Sequence, residues 1–362
     1  MASFTILVIN PGSTSTKIAL FKGWDKIFED DVIHPEEELR KFPDIPSQLP
    51  FRMETLMRAL SEKSVEPSRL DAVCVRGGLM RPVKSGVYRV TEEMARDIRN
   101  AKKFWGREHA SNLGPLMGLR ISGEYAVPAF TADPVVVDEM DDVARISGVP
   151  EIKRRSLLHA LNIREQVRRA ARDLGVNTSE VNFIVSHMGG GTTVAAIRRG
   201  RIADVNNALL GMGPFSPQRA GALPTGDLLD MAYSGEYTKP ELKKKLVSGS
   251  GLTGYLGTGD VREIGKRIDA GDETATLILS AMAYQVSKEI GAMAAALKGD
   301  VLSIILTGGV AFSGRVVGII KERVSFIAPV RVYPGQAEME ALAWYAAAVL
   351  SGEEQILHYG QD

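Results

Sequence analysis

The chain has 362 residues, Lys+Arg and Asp+Glu balance at 44 each, and 44% of it is apolar. That length and apolar share suit two domains with buried cores, while the balanced charge excludes a global basic field for nucleic acid. A single cysteine, Cys74, excludes internal disulfides and fits a reducing cytosol, and no apolar run reaches the length of a membrane span.

Met1 to Ile9 lacks a basic n-region, so the opening residues are expected to build structure rather than a secretory leader. Ser3 to Ile9 reads as a strand that enters Asn10-Pro11-Gly12-Ser13-Thr14-Ser15-Thr16, with Lys17 to Phe21 as its hairpin partner. Lys26 to Ile33 supplies a third antiparallel strand. Pro35 to Pro50 is a loop with a short helix at Glu36–Lys41, and Phe51 to Lys63 carries Met53, Leu56, Met57 and Leu60 at helical spacing. Leu70 to Val75 is a strand that ends in Arg76-Gly77-Gly78. Thr91 caps a helix with Glu92 and Glu93 in its first turn, expected to run to about Lys103. The loop Phe104 to Pro115, with Arg107, Glu108, His109, Ser111 and Asn112, leads into a helix from about Leu116 to Glu124. Pro128 to Thr131 is a short strand before Ala132-Asp133-Pro134.

Leu157 to Leu174 reads as a helix carrying His159 in its first turn. The apolar run from Val181 stops at His187-Met188-Gly189-Gly190-Gly191-Thr192-Thr193, then resumes to Ile197. Helices open at Thr225 and at Lys239-Pro240. The longest, Glu273 to Leu297, is expected to be largely buried, with Met282, Tyr284 and Met293 in core or interface. Asp300 to Leu306 is a strand into Gly308-Gly309-Val310, followed by a helix from about Gly314 to Val324, a strand at Arg331–Tyr333, and a last helix from Glu338 to about Leu350. That last helix is nearly all apolar and is expected to pack on the N-terminal domain. Trp24, Trp105 and Trp344 are expected to serve packing.

The two hydroxyl-rich hairpins superpose without a gap. Asn10 falls on His187, Gly12 on Gly189, Ser15 on Thr192, Thr16 on Thr193 and Gly23 on Gly200. The strand ending in Gly77-Gly78 is echoed by the one ending in Gly308-Gly309. Duplication of this kind is an architectural signal. Glycine lets backbone N–H groups approach an oxyanion, successive N–H groups form an anion nest, and hydroxyls add donors. Two such turns suggest a nucleotide cleft between related domains.

These motifs, with Gln218-Arg219-Ala220-Gly221, resemble the acetokinase family of the actin, sugar-kinase and heat-shock ATPase fold. Arg76-Gly77-Gly78, His109-Ala110-Ser111-Asn112 and Asp133-Pro134-Val135 look most like butyrate kinases and branched-chain carboxylic-acid kinases. The resemblance implies an α/β protein of two duplicated ribonuclease H-like domains, each a mixed sheet of the five-stranded type flanked by helices, around a nucleotide cleft. Its expected domains are 1–156 plus 338–362, which would bind the acid, and 157–337, which would bind nucleotide. It also implies ATP + carboxylate ⇌ ADP + acyl phosphate by direct in-line transfer, with Mg²⁺, in a cytoplasmic homo-oligomer. Its partner would be a short-chain or branched-chain carboxylic acid, with no nucleic acid and no membrane.

The resemblance assigns roles by position. Arg219 would bind the equatorial phosphoryl oxygens, His159 would contact the same group, and Asp133 would orient an arginine or the surroundings of the attacking carboxylate. Arg76 would take the substrate carboxylate. Ser13, Ser15 and Lys17, with His187, Gly189, Gly190, Gly191, Thr192 and Thr193, would hold phosphates, and Gly308, Gly309 and Val310 would border adenosine. Asn10 and Glu338 would serve the metal, with Glu340 as the substitute for Glu338. Leu158 stands where acetate kinases carry Phe, which leaves room for a longer acyl chain. Acetate or propionate is the alternative substrate. A sugar kinase, or a filament or chaperone ATPase of the same fold, is the more distant alternative, separated by activity with sugars or by ATP-dependent sedimentation.

Overall fold

The computed structural model describes residues 3–360. Its contacts divide the chain into two units, Met1–Val137 with Ala337–Asp362, and Asp138–Gln336. Residues 138–156 group with the second unit for a physical reason. Asp141 donates its N–H to Ala203 O (2.9 Å), and its carboxylate pairs with Arg198 and Arg201. Arg154 reaches Asp204 at 2.8 Å.

The first unit is built on β1 (Thr5–Pro11), β2 (Ser15–Lys22), β3 (Asp25–Ile33), β4 (Ala72–Arg76), β5 (Val87–Arg89) and β6 (Ala129–Ala132). β1 pairs antiparallel with β2 and β2 with β3, whereas β1–β4 and β4–β6 are parallel. β5 and the two-residue strand Ile356–Leu357 extend the β6 edge. Ile6 to Ile9 and Ala72 to Val75 are fully buried, the mark of strands covered on both faces. The helices Leu113–Tyr125 and Glu338–Leu350 pack against β1 and β4.

The second unit repeats this plan. Its sheet holds β7 (Asn182–Met188), β8 (Thr192–Arg198), β9 (Arg201–Val205), β10 (Ser303–Gly308) and β11 (Val330–Pro334) in the order β11-β10-β7-β8-β9. The pairs β7–β8 and β8–β9 are antiparallel, and β7–β10 and β10–β11 are parallel. β7 and β8 therefore correspond to β1 and β2, and β10 to β4, as the sequence echo requires. The helix Glu273–Ala296 lies on β7, β8 and β9. Met282 and Met293 are core residues, but Leu277 and Tyr284 are exposed.

Several expected elements differ in detail. The helix capped by Thr91 ends at Arg99, where the Asn100 amide turns back to Arg96 O (2.8 Å), and a separate turn covers Ala101–Trp105. The next helix starts at Leu113, before Pro115, because a proline in the first turn has no N–H bond to lose. His159 precedes the helix Ala160–Leu174 rather than lying inside it. The helices Gly251–Leu256 and Val261–Asp269, and the strands β5 and β9, were not anticipated. Trp24 is exposed rather than packed.

Candidate active site

The turn between β1 and β2 is shaped from below. Gly12 N–H bonds Ser15 O at 2.7 Å, and His34 N–H takes Thr14 O at 2.8 Å. Arg52, on the helix Leu49–Glu62, is fully buried under the turn. Its Nη1 donates to Gly12 O (2.8 Å), Ser15 O (3.2 Å) and Thr16 Oγ1 (3.3 Å), and its Nη2 to Ser13 O (2.8 Å) and Gln48 Oε1 (3.0 Å). Thr16 Oγ1 also lies 2.8 Å from His34 Nε2. Burial, aided by the nearby Arg52 charge, pushes the His34 imidazole down to about 4, so this ring is neutral at pH 7.

Beside the turn, Asn10 and Arg76 stand at the carboxyl ends of adjacent parallel strands, where ligands gather in open α/β sheets. Both converge on one buried carboxylate at the start of the last helix. Asn10 Nδ2 donates to Glu338 Oε2 at 2.9 Å, and Arg76 forms an ion pair with the same oxygen. Glu340 instead bonds Lys26 at 2.8 Å on the exposed surface. Lys17 faces across β2 and β3, 3.3 Å from both Glu29 and Asp31. Asp133 is buried and adopts φ +39°, a conformation that a non-glycine residue keeps only when its surroundings enforce it. Its carboxylate accepts from Ser85 Oγ (2.5 Å), Gly86 N (3.0 Å) and Tyr345 OH. These described partners are two hydroxyls and a backbone N–H, and no arginine is among them. Asn112 accepts from Leu79 N (2.8 Å). A Cβ on Gly78 would strike the Asn112 backbone, so this glycine permits the close approach.

In the second unit, His187 and His159 stack with centroids 4.1 Å apart and an 18° interplanar angle. His187 Nδ1 lies 2.8 Å from Asn162 Oδ1, and His159 Nδ1 lies 2.8 Å from Thr193 Oγ1. The glycine turn is held by neutral donors. Ser216 Oγ (2.6 Å) and Gln218 N (3.3 Å) both reach Gly190 O, and Asn206 Nδ2 reaches Thr192 O (3.0 Å). Arg219 donates to Ala208 O, and its guanidinium lies so close to Gly191 that a Cβ there would overlap it. Leu158 is buried in this unit.

Gly189 and Gly190 open onto a cavity of about 790 Å³ that also takes in Gln218, Gly309, Val310 and the run Asp260-Val261-Arg262. That volume suits a nucleoside-sized ligand. Gly308, at φ +88°, lies against the Met188 backbone where a Cβ would not fit. This joins the two glycine turns of the unit at the cavity mouth. The turn Gly257-Thr258-Gly259 and the Asp260 cap, which accepts from Arg262 N at 2.9 Å, were missed by the sequence reading. A glycine pair before an Asp cap was the available signal. Arg52, Asn162 and Tyr345 were missed too, and single-sequence reading offers no local mark for them.

The arrangement within each unit suits oxyanions: glycine turns, hydroxyls and a guanidinium, close to the carboxyl ends of parallel strands. Comparison with known proteins agrees. The acetokinase family model matches residues 154–326. Probable butyrate kinase 2 of Caldanaerobacter subterraneus subsp. tengcongensis is 52% identical over 357 residues, which span 99% of this chain and 100% of that protein. Among solved structures, Porphyromonas gingivalis acetate kinase matches with TM-score 0.75 at 20% identity, covering 96% of this chain and 100% of that one. A propionate kinase from Francisella tularensis matches with TM-score 0.73 at 17% identity, covering 94% and 98%. The two crystal structures share the fold, the full-length relative shares half of all residues, and on that ground the chain belongs to the acetokinase family.

Proposed function

We propose that the protein is an ATP-dependent carboxylate kinase of the butyrate-kinase kind, with acetate and propionate as the alternative substrates. A carboxylate oxygen attacks the γ-phosphorus, the bond to the β–γ bridging oxygen breaks, and ADP leaves with the electron pair. A carboxylate is already ionised at neutral pH, so no general base is needed. What remains is repulsion between two anions, which positioning and fixed positive charge overcome.

The observation that carries this reading is full-length identity of 52% to a probable butyrate kinase. The duplicated oxyanion turns agree with it. In this reading Gly189 to Thr193 hold the β/γ-phosphates with His187, and Gly309 and Val310 border adenosine with Asp260 and Arg262. Ser13 and Ser15 face the transferring group. Arg219 and His159 stabilise its charge, and Asp133 shapes the acid's surroundings. Arg76 is partly neutralised by Glu338 and orients that carboxylate as well as attracting the acid. Glu29 and Asp31 hold Lys17, so it reaches a phosphate only by leaving those carboxylates.

Among the described residues no group of three or more His, Cys, Asp or Glu is placed to hold a metal. A Mg²⁺ carried by nucleotide phosphates needs only one or two protein oxygens and keeps its waters. The Asn10–Glu338 pair fits that demand, with Glu338 favoured over Glu340, and the ion would neutralise charge on the phosphates. The single buried thiol, Cys74, supports a cytoplasmic setting. No helix among the described residues is long and apolar enough to cross a membrane. The exposed Leu277 and Tyr284 support a homo-oligomer through that helix face, which light scattering would test. A hydroxamate assay with ATP, Mg²⁺ and acids of two to six carbons tests the function. Butyrate or a branched acid should give the most product, and no product from any acid would overturn the reading.

A further inference from the structure

The β1–β2 turn offers two backbone donors that nothing in the described chain uses. Ser13 and Thr14 are exposed, and none of the described hydrogen bonds is donated by either N–H. The two peptide units that own these N–H groups are those of the Gly12 and Ser13 carbonyls. Those two carbonyls are the ones Arg52 holds, each at 2.8 Å, through Nη1 and Nη2. A hydrogen bond accepted at one end of a peptide polarises it and strengthens the donor at the other.

The charge is as telling as the geometry. Every acceptor described around Arg52 is neutral: three backbone carbonyls, Gln48 Oε1 and Thr16 Oγ1. The adjacent His34 is neutral as well. Burial lowers the guanidinium only to about 10, so it remains a cation at pH 7. A buried charge without a counter-charge is costly. An anion resting on the open N–H groups would supply the missing charge.

We propose that Arg52 is a positioning residue for the phosphoryl group: it aims and polarises the Ser13 and Thr14 N–H donors, and its charge is balanced when that anion sits on the turn. The anion is the terminal phosphoryl group of a nucleoside triphosphate, so the inference rests on the kinase reading. Arg52 itself, fully buried, touches no ligand.

The test compares wild type with Arg52→Gln and Arg52→Lys, in the full chain, at temperatures well below each variant's own melting point. Two quantities are read: kcat and KM in the hydroxamate assay, and the melting shift given by ATP against that given by adenosine. The glutamine variant should lose on the order of 10²-fold in kcat, as when one preorganised oxyanion donor is removed. It should keep the adenosine shift but lose the extra shift that triphosphate gives. Lysine keeps the charge but cannot hold both carbonyls, so it should fall between the two, and it serves if glutamine does not fold. Wild-type kcat and an undiminished ATP-specific shift in folded variants would overturn the proposal. Wild type that binds ATP more tightly than adenosine yet makes no hydroxamate would sink the kinase reading while leaving Arg52 testable by the melting shifts.

Discussion

The two hydroxyl-rich turns share a plan and differ in what supports them. Thr16 and Thr193 occupy equivalent strand positions, and each is bonded to a histidine ring, His34 in one unit and His159 in the other. Asn10 and His187 likewise match, and each leans on a residue from a helix, Glu338 or Asn162. Beneath the turns the likeness stops. The first rests on a buried cation, Arg52, whereas the second has its carbonyls taken by Ser216, Gln218 and Asn206. The second turn carries its arginine, Arg219, against its glycine instead of below it. Duplication therefore preserved the antiparallel hairpin and its threonine–histidine pair and placed the positive charge differently in each copy.

The strongest way to break this comparison is at Arg219. Arg219→Ala should lower kcat by roughly 10³-fold, as for arginines that meet a transferring phosphoryl group, with a smaller change in KM. Turnover within a few-fold of wild type would show that the second turn does not use its cation. Next in size is the carboxylate beside the first turn. Glu338→Ala removes the buried partner of a largely covered Arg76 and should cost up to ~3 kcal/mol in urea unfolding. Glu340→Ala, which loses only the exposed Lys26 contact, should cost under about 1 kcal/mol. Equal losses would mean that Glu338 is no more embedded than Glu340.

A third contrast lies in the glycines. Gly191→Ala forces the Arg219 guanidinium aside and should lower kcat by about 10²-fold at near-native stability, since a shift of ~1 Å at a catalytic group carries that penalty. Gly12→Ala meets the Ser15 carbonyl at 3.3 Å and the Ser15 hydroxyl at 3.8 Å, and should be milder. The reverse ranking would argue that the first turn is the tighter. The smallest effect is one of pH. His34 titrates near 4 in the folded chain and near 6.5 when unfolded. As pH falls from about 6.5 towards 4, the unfolded chain binds a proton that the native one refuses. Stability present above pH 6.5 is thus lost, by ~2 kcal/mol at pH 5. Urea titrations at pH 7 and pH 5 should show this loss in wild type and not in His34→Gln.

How much of this could be read from the chain depended on distance along it. The hairpins were legible because each is a contiguous run, and their gapless superposition marks the duplication in the sequence itself. The last helix was legible because nearly every residue from Ala341 to Leu350 is apolar, which leaves burial as its only outcome. Arg52 was not, since it looks like one more polar position on an amphipathic helix and only the fold brings it under residues 12–16. Asp133 was visible as a candidate, but its partner Tyr345 lies 212 residues away. The helices Gly251–Leu256 and Val261–Asp269 are short and punctuated by glycine, so their periodicity was too brief to detect.

The helix Glu338–Leu350 has a consequence for how the protein is made. It delivers Glu338 to Asn10 and Tyr345 to Asp133, and it covers β1 and β4. During synthesis the first 137 residues emerge early yet stay unfinished until this helix leaves the ribosome. The second unit, Asp138–Gln336, is continuous and has everything it needs sooner, which inverts the usual N-terminal-first order. Ribosome-stalled chains halted after about residue 336 has emerged should show protease protection of the inserted unit and digestion of the leading one. Protection of both would mean that the leading unit closes without its final helix.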